Sequence, residues 1–295
     1  MMDVKGMTST DFKELKLLGR GKVRDIYEVD ECLLIVATDR ISAFDVVMPN
    51  PIPGKGRILT SMSVFWFNTM KDICENHLLS TDPSDFPAAC LPYRKELEGR
   101  SMLVKKAKPL PVECVVRGYL SGSGWKDYRE SLTVSGITLA RGLKESVRLS
   151  EPLFTPSTKA PEGKHDMPIT RKEMEDEIGS EETEKIIEIS LAIYTRASRL
   201  AEEAGIIIAD TKMEFGIIED RLILIDELLT PDSSRFWPKE DYEEGRPQRS
   251  FDKQFLRDYL ISINWDQKPP APDLPDEIIE QTRKNYEEAL NRLVR

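Results

Sequence analysis

Apolar and polar positions change period several times along the chain, and each change marks an element. Residues 15–18, 23–29 and 32–38 are short β-type runs divided by Gly19–Gly21 and by Asp30-Glu31, a pattern of antiparallel strands. Residues 57–77 switch to helical spacing through Leu59, Met62, Trp66, Met70 and Ile73. Residues 101–106 and 112–119 read as two further strands around Pro109 and Pro111. Residues 150–169 are rich in Pro, Thr, Gly and Lys and show no period; such a segment inside a compact chain is usually functional or disordered. Residues 180–204 form a helix, with Ser180 as N-cap, Glu181 and Glu182 in the first turn, and Gly205 at C′. Residues 251–263 and 276–294 are amphipathic helices, and residues 239–247 an acidic, solvated loop. Together this is an α+β fold: a β-rich N-terminal lobe, residues 1–113, joined to a mixed α/β lobe, residues 114–295, with a hinge near residues 113–117.

One stretch carries more information than the rest. GIIIADTKMEFGIIEDRLILIDELLTPDSSRFW, residues 205–237, reads as a strand ending in Asp210, then a hairpin, then an acidic pair and a polar turn. A three-residue loop at Glu219, Asp220 and Arg221 places Glu214 opposite Asp226; a two-residue loop would bring Glu227 there instead. Like charges directly opposed across strands are destabilising, so the pair calls for a cation between them. Magnesium, which takes a few carboxylate oxygens together with phosphate and water, suits it. Taken singly, the cluster is also an ordinary ion-pair network with Lys212 between its acids.

Composition narrows the class. The chain has 295 residues, 40% hydrophobic and 32% charged, as soluble globular proteins do. A net charge of −10 argues against a broad nucleic-acid or anionic-membrane surface, yet leaves room for a local basic pocket. No apolar run reaches the roughly 18 residues of a membrane span, and the N-terminus lacks a signal-peptide core. The four cysteines, Cys32, Cys74, Cys90 and Cys114, have no CxxC spacing, which points to a reduced cytoplasmic setting. With only His77 and His165, no multi-histidine metal site can be built within one chain.

Several polar constellations remain. Gly19-Arg20-Gly21-Lys22-Val23-Arg24-Asp25 joins two strands; its glycines let backbone amides approach phosphate, and Lys22 and Arg24 add charge. Val23 stands where a Walker loop needs Ser or Thr, and alone the motif is as readily a plain glycine hairpin. Residues 38–45, with Asp39, Arg40 and Ser42, end a strand in a polar cluster. Arg117 and Ser123 flank a glycine-rich turn before a helix, a setting for carboxylate or phosphate. Lys159, a candidate phosphate contact, lies within the aperiodic segment and His165 and Asp166 follow; Ser234 and Arg235 lie in the last turn. Phosphate-binding amides, several cations and a carboxylate pair fit phosphoryl transfer, where positioning and charge neutralisation do most of the catalysis.

GKVRDIYEVD, ATDRISAFDV, ECVVRGYLSGSGWKDY, EPLFTPSTKA, GIIIADTKMEFG, LTPDSSRFWP and FDKQFLRDYL, in this order over residues 11–262, resemble the SAICAR synthetases of purine biosynthesis. The resemblance implies a kinase-like N-terminal ATP lobe. It also implies an ATP-dependent ligase that joins the carboxylate of carboxylated aminoimidazole ribonucleotide (CAIR) to the amine of L-aspartate through an acyl phosphate. It carries Gly19, Gly21, Lys22 and Arg24 to the ATP phosphates, assisted by Lys159, and Glu113 and Cys114 to the adenine. Glu214 and Asp226 go to Mg2+. Arg117, Ser123, Lys212, Ser234 and Arg235 go to CAIR, with Asp210 orienting Lys212 or the ribose region. Asp39, Arg40, Ser42 and Asp166 are candidates for aspartate. Lys159, Lys212, Glu214 and Asp226 form the catalytic set. A monomer or homodimer acting on small molecules is implied, and the terminal helix is read as packing. A small-molecule kinase is the competing enzyme class, but no HRD-type base accompanies the metal pair. A nucleotide sensor with a dead site would not need the intact Lys22, Lys212, Glu214 and Asp226.

Overall fold

The computed structural model describes residues 6–159 and 166–294. Its first antiparallel sheet runs in the order Lys16–Arg20, Arg24–Val29, Cys32–Ala37, Ser101–Lys105, Leu78–Ser80. Alternation divides its faces: Leu34 and Val36 join Tyr27 and Phe12 in a small core, whereas Ile35 faces the main one. Over that main core lies the helix Lys55–Met70, burying Leu59, Met62, Trp66 and Met70. This helix is shorter than its periodicity predicts. The segment beyond Met70 satisfies its backbone on the second sheet instead, where Leu224 N–H donates to Glu75 O and His77 N–H to Leu224 O.

The second sheet is built on the long strand Ile206–Ile218. Lys108–Tyr119 pairs along one edge, and Arg221–Ile225 and Ser234–Pro238 share the other. Arg148–Phe154 and Ser157–Thr158 extend the sheet beyond Lys108–Tyr119, so part of the segment read as aperiodic is strand. Met213, Phe215, Cys114 and Val116 point from the sheet into the main core, which Ile186, Ile193, Ala197 and Ala201 of helix Ser180–Glu203 also line. The terminal helix Asp276–Leu293 packs on Lys55–Met70 and on Gln254–Ser262. Among the described residues, no helix is long and apolar enough to cross a membrane.

Three local expectations change. The hairpin closes with a two-residue turn at Glu219 and Asp220, both at positive φ (48° and 61°), so Glu214 pairs with Ile225 rather than Asp226 or Glu227. Residues 113–117 are no hinge: they lie inside the Lys108–Tyr119 strand, with Glu113 facing Ser157 on one edge and Glu214 on the other. The strand runs through Pro111 because that residue is asked only for its carbonyl, which accepts from Lys159 N–H at 3.0 Å. The chain passes between sheets at Lys106 and Ala107. Ser180 is the first helical residue, and the cap position is Gly179 at φ 92°, with no side-chain cap.

Candidate functional site

Asp210, Lys212 and Glu214 occupy every second position of the Ile206–Ile218 strand, so they share one face while Thr211 and Met213 take the other. Opposite Asp210 stand Arg117 on one neighbouring strand and Arg235 on the other. Both guanidiniums reach the same oxygen, Asp210 Oδ2, Arg117 through Nη1 at 3.2 Å and Arg235 through Nη1. Arg117 is aimed by two further donations, Nε to Thr155 Oγ1 at 3.0 Å and Nη2 to Ser123 Oγ at 3.1 Å. Arg235 packs against Gly122, whose φ is 56°; a Cβ there would lie 2.2 Å from Arg235 Nη2. Burial pulls the Arg117 pKa below its ordinary value, whereas for Arg235 the charges of Asp210 and Asp252 outweigh burial. Two guanidiniums converging on one carboxylate oxygen concentrate donors in a setting suited to an anion.

Four residues along the same face the sign reverses. Lys212 Nζ donates to Glu113 Oε1 and lies 3.3 Å from Glu214 Oε1, and Lys159 Nζ donates to Glu214 Oε2. Burial opposes the Lys212 charge, but Glu214 and Glu113 outweigh it and hold its pKa above the ordinary lysine value. Asp226 leaves the neighbouring strand at φ 67°. Its Oδ1 meets Arg24 Nη1 at 2.6 Å, and Arg24 Nη2 is 3.5 Å from Glu227 Oε1. Three cations, Lys159, Lys212 and Arg24, thus face four carboxylates, Glu113, Glu214, Asp226 and Glu227.

Arg24 therefore turns away from the role of a free phosphate contact and ties the glycine hairpin to the acid pair. The hairpin itself is tight, with Gly21 N–H donating to Arg24 O at 2.8 Å, and exposed: no atom lies within 4 Å of a Cβ built on Gly19. Arg40 braces it from behind, donating to Gly21 O, Lys22 O, Arg24 O and Asp25 Oδ1. Lys22 Nζ donates to Asp45 at the tip of the ribbon formed by Ser42–Ala43 and Val46–Val47.

Some predicted residues are committed elsewhere. Asp39 is buried; it accepts from Gly56 N–H at the start of helix Lys55–Met70 and from Met7 N–H, and it pairs with Arg100. Its lone pairs go to the fold, as do the donors of Arg40, so neither is open to aspartate. Ser42 is buried in its ribbon. The Cys114 side chain faces the core, and its backbone lies in the ladder opposite Met213. Asp166 is exposed, and its charge acts on Glu113. The rest of the proposed aspartate loop, residues 160–165 with His165, lies outside the described residues. Ser234 Oγ sits 2.8 Å from Thr211 Oγ1, beside Arg235.

Sequence reasoning missed a second buried cluster next to this site. Asp232 is shared by Lys55 Nζ at 2.7 Å and Lys253 Nζ at 3.1 Å, and Tyr286 OH donates to it at 2.7 Å. Burial pushes the Lys253 pKa down to about 8. Lys253 lies in the quoted FDKQFLRDYL segment, but nothing in its spacing marks it as a partner of Asp232.

Comparison with known proteins converges on one family. The family model described as SAICAR synthetase matches residues 17–272. The phosphoribosylaminoimidazole-succinocarboxamide synthase of Desulfosudis oleivorans is 63% identical over 285 residues, 97% of each chain. That of Geotalea uraniireducens is 61% identical, covering 97% of this chain and 96% of its own. Among solved structures, the SAICAR synthase of Saccharomyces cerevisiae complexed with SAICAR aligns with a TM-score of 0.89 at 45% identity, over 97% of both chains.

Proposed function

The chain belongs to the SAICAR synthetase family and so uses ATP to ligate CAIR and L-aspartate, and we propose that the face bearing Asp210, Lys212 and Glu214 carries out this ligation. The observation that carries the assignment is the change of sign along that face. The Arg117–Asp210–Arg235 end gathers two guanidiniums for an anionic nucleotide substrate, and the end around Glu214 and Asp226 gathers carboxylates.

CAIR brings a phosphate and a carboxylate. Arg117, Ser123, Ser234 and Arg235 bind it, and Asp210 keeps the two guanidiniums apart and aimed. The exposed glycine hairpin, with Gly19, Gly21 and Lys22, covers the ATP phosphates; Lys22 exchanges Asp45 for phosphate when the nucleotide arrives. The first sheet and its hairpin form the nucleotide lobe, the second sheet the substrate lobe, with the passage at Lys106 and Ala107 between them. Glu113 and Cys114 lie next to the nucleotide as strand backbone.

In the reaction, a CAIR carboxylate oxygen takes the γ-phosphoryl group of ATP, giving an acyl phosphate and ADP. The neutral amine of aspartate then attacks the acyl carbon, phosphate leaves with the carboxylate oxygen, and the nitrogen loses a proton. No enzyme nucleophile is needed. Lys159 and Lys212 lie where negative charge gathers on the transferring group and hold it without reorganisation. Among the described residues no three His, Cys, Asp or Glu side chains are grouped for a metal, but magnesium needs only one or two carboxylates when nucleotide phosphates complete its shell. The all-oxygen donors Glu214 and Asp226, in a site with one carboxylate in excess, fit that ion, which would neutralise charge on the phosphates when bound.

ADP release measured with each substrate omitted in turn tests the assignment. Release should require both CAIR and aspartate. Full release without an amine would return the chain to the kinase class.

A further inference from the structure

Asp232 sits in the turn that ends in Ser234 and Arg235, and three helical segments hold it. Lys55 opens helix Lys55–Met70 and is fully buried; Lys253 precedes helix Gln254–Ser262; Tyr286 belongs to the terminal helix Asp276–Leu293. Both ammoniums bind the same oxygen, Oδ2, at 2.7 and 3.1 Å, and the Tyr286 hydroxyl donates to the other, Oδ1, at 2.7 Å. The lysines thus hold one oxygen of Asp232 and the Tyr286 hydroxyl holds the other, so the carboxylate is gripped at both ends.

What Asp232 fixes is the turn itself. Its N–H donates to Thr230 Oγ1 at 3.2 Å, and that hydroxyl donates to Glu227 Oε2 at 2.8 Å, next to Arg24. In the other direction, Lys212 N–H donates to Ser233 O at 2.8 Å, and Ser234 and Arg235 follow against Thr211 and Asp210. One buried carboxylate therefore anchors the turn between the acid pair and the second substrate arginine. The matched family segment stops at residue 272, before the helix that bears Tyr286.

We propose that Tyr286 is a positioning residue for CAIR binding: from the terminal helix it orients the Asp232 carboxylate, and through the turn it sets Ser234 and Arg235 against Asp210. The role rests on the reading of Arg235 as a CAIR contact. It makes the terminal helix part of the active-site support as well as packing.

The test is steady-state ADP release by the full-length enzyme, with CAIR or ATP varied, for wild type, Tyr286→Phe and Arg235→Ala. Phenylalanine keeps the buried ring and removes one hydroxyl. Losing one hydrogen bond to a charged group should raise the CAIR KM by about tenfold or more while the ATP KM is unchanged. A Tyr286→Phe enzyme with wild-type KM values for both substrates and only a lowered melting temperature overturns the proposal, as does an equal rise in both values. Arg235→Ala separates the two layers. If it leaves the CAIR KM unchanged, the site reading fails and the positioning role with it. If it raises that KM and Tyr286→Phe does not, the positioning role fails alone.

Discussion

The Arg24 guanidinium closes on the Asp226 carboxylate at 2.6 Å and so joins the glycine hairpin of one sheet to the acid pair of the other. Burial works against this charge, but Asp226 and Glu227 outweigh it and raise the Arg24 pKa further. Removing one partner of such a pair strands the other. Arg24→Met is expected to lower unfolding free energy by about 3 kcal/mol in urea denaturation. A loss within the range of an ordinary surface substitution would show that the pair is not the tie described.

Glu214→Gln and Asp226→Asn keep the shape of each side chain and remove its charge. Turnover should fall by about a thousandfold with the fold retained by circular dichroism, although Asp226→Asn also strands Arg24 and lowers the melting temperature. Either variant working at near-wild-type rate under saturating magnesium would remove that residue from the proposed metal site.

Gly122 is required by the close approach of Arg235. An alanine there adds a Cβ 2.2 Å from Arg235 Nη2 at a backbone φ of 56°, which favours glycine. Gly122→Ala should therefore raise the CAIR KM about tenfold or more while leaving the ATP KM in place. Matching shifts in both would mean that the turn supports the whole site and not Arg235 in particular.

Burial keeps the His77 imidazole neutral and pushes its pKa down to about 4. The unfolded chain binds a proton near pH 6.5 that the folded one refuses, so this stability is complete above that value. It is lost as pH falls toward 4, amounting to about 3 kcal/mol. His77→Phe, which keeps an aromatic ring beside Phe67, should lose less stability than wild type between pH 7 and 4.5 in paired denaturation curves. Parallel losses would assign the acid sensitivity to other groups.

Much of the proposed site was legible because its residues are neighbours along the chain. Asp210, Lys212 and Glu214 lie two residues apart on one strand, so any β reading of that segment puts them on one face. Arg235, Ser234 and the glycine hairpin stand in short motifs beside predicted strand ends. Asp39 and Arg40 misled for the opposite reason. Polar residues past a buried strand look alike in sequence whether they meet a ligand or cap a helix, and Asp39 does the latter through Gly56.

The sequence by itself determined the alternation of strands and helices, the family, and the face that carries Asp210, Lys212 and Glu214, since period and motif are properties of neighbours along the chain. Tertiary structure alone decided what those neighbours meet. The hairpin register turned on Glu219 and Asp220 both adopting positive φ, which Asp tolerates but Glu does not announce, and it moved Asp226 from opposite Glu214 into the grip of Arg24. Lys55 and Tyr286 reach Asp232 across separations of 177 and 54 residues. Partnerships of that kind follow from how the helices pack over the sheets, and no local pattern encodes them.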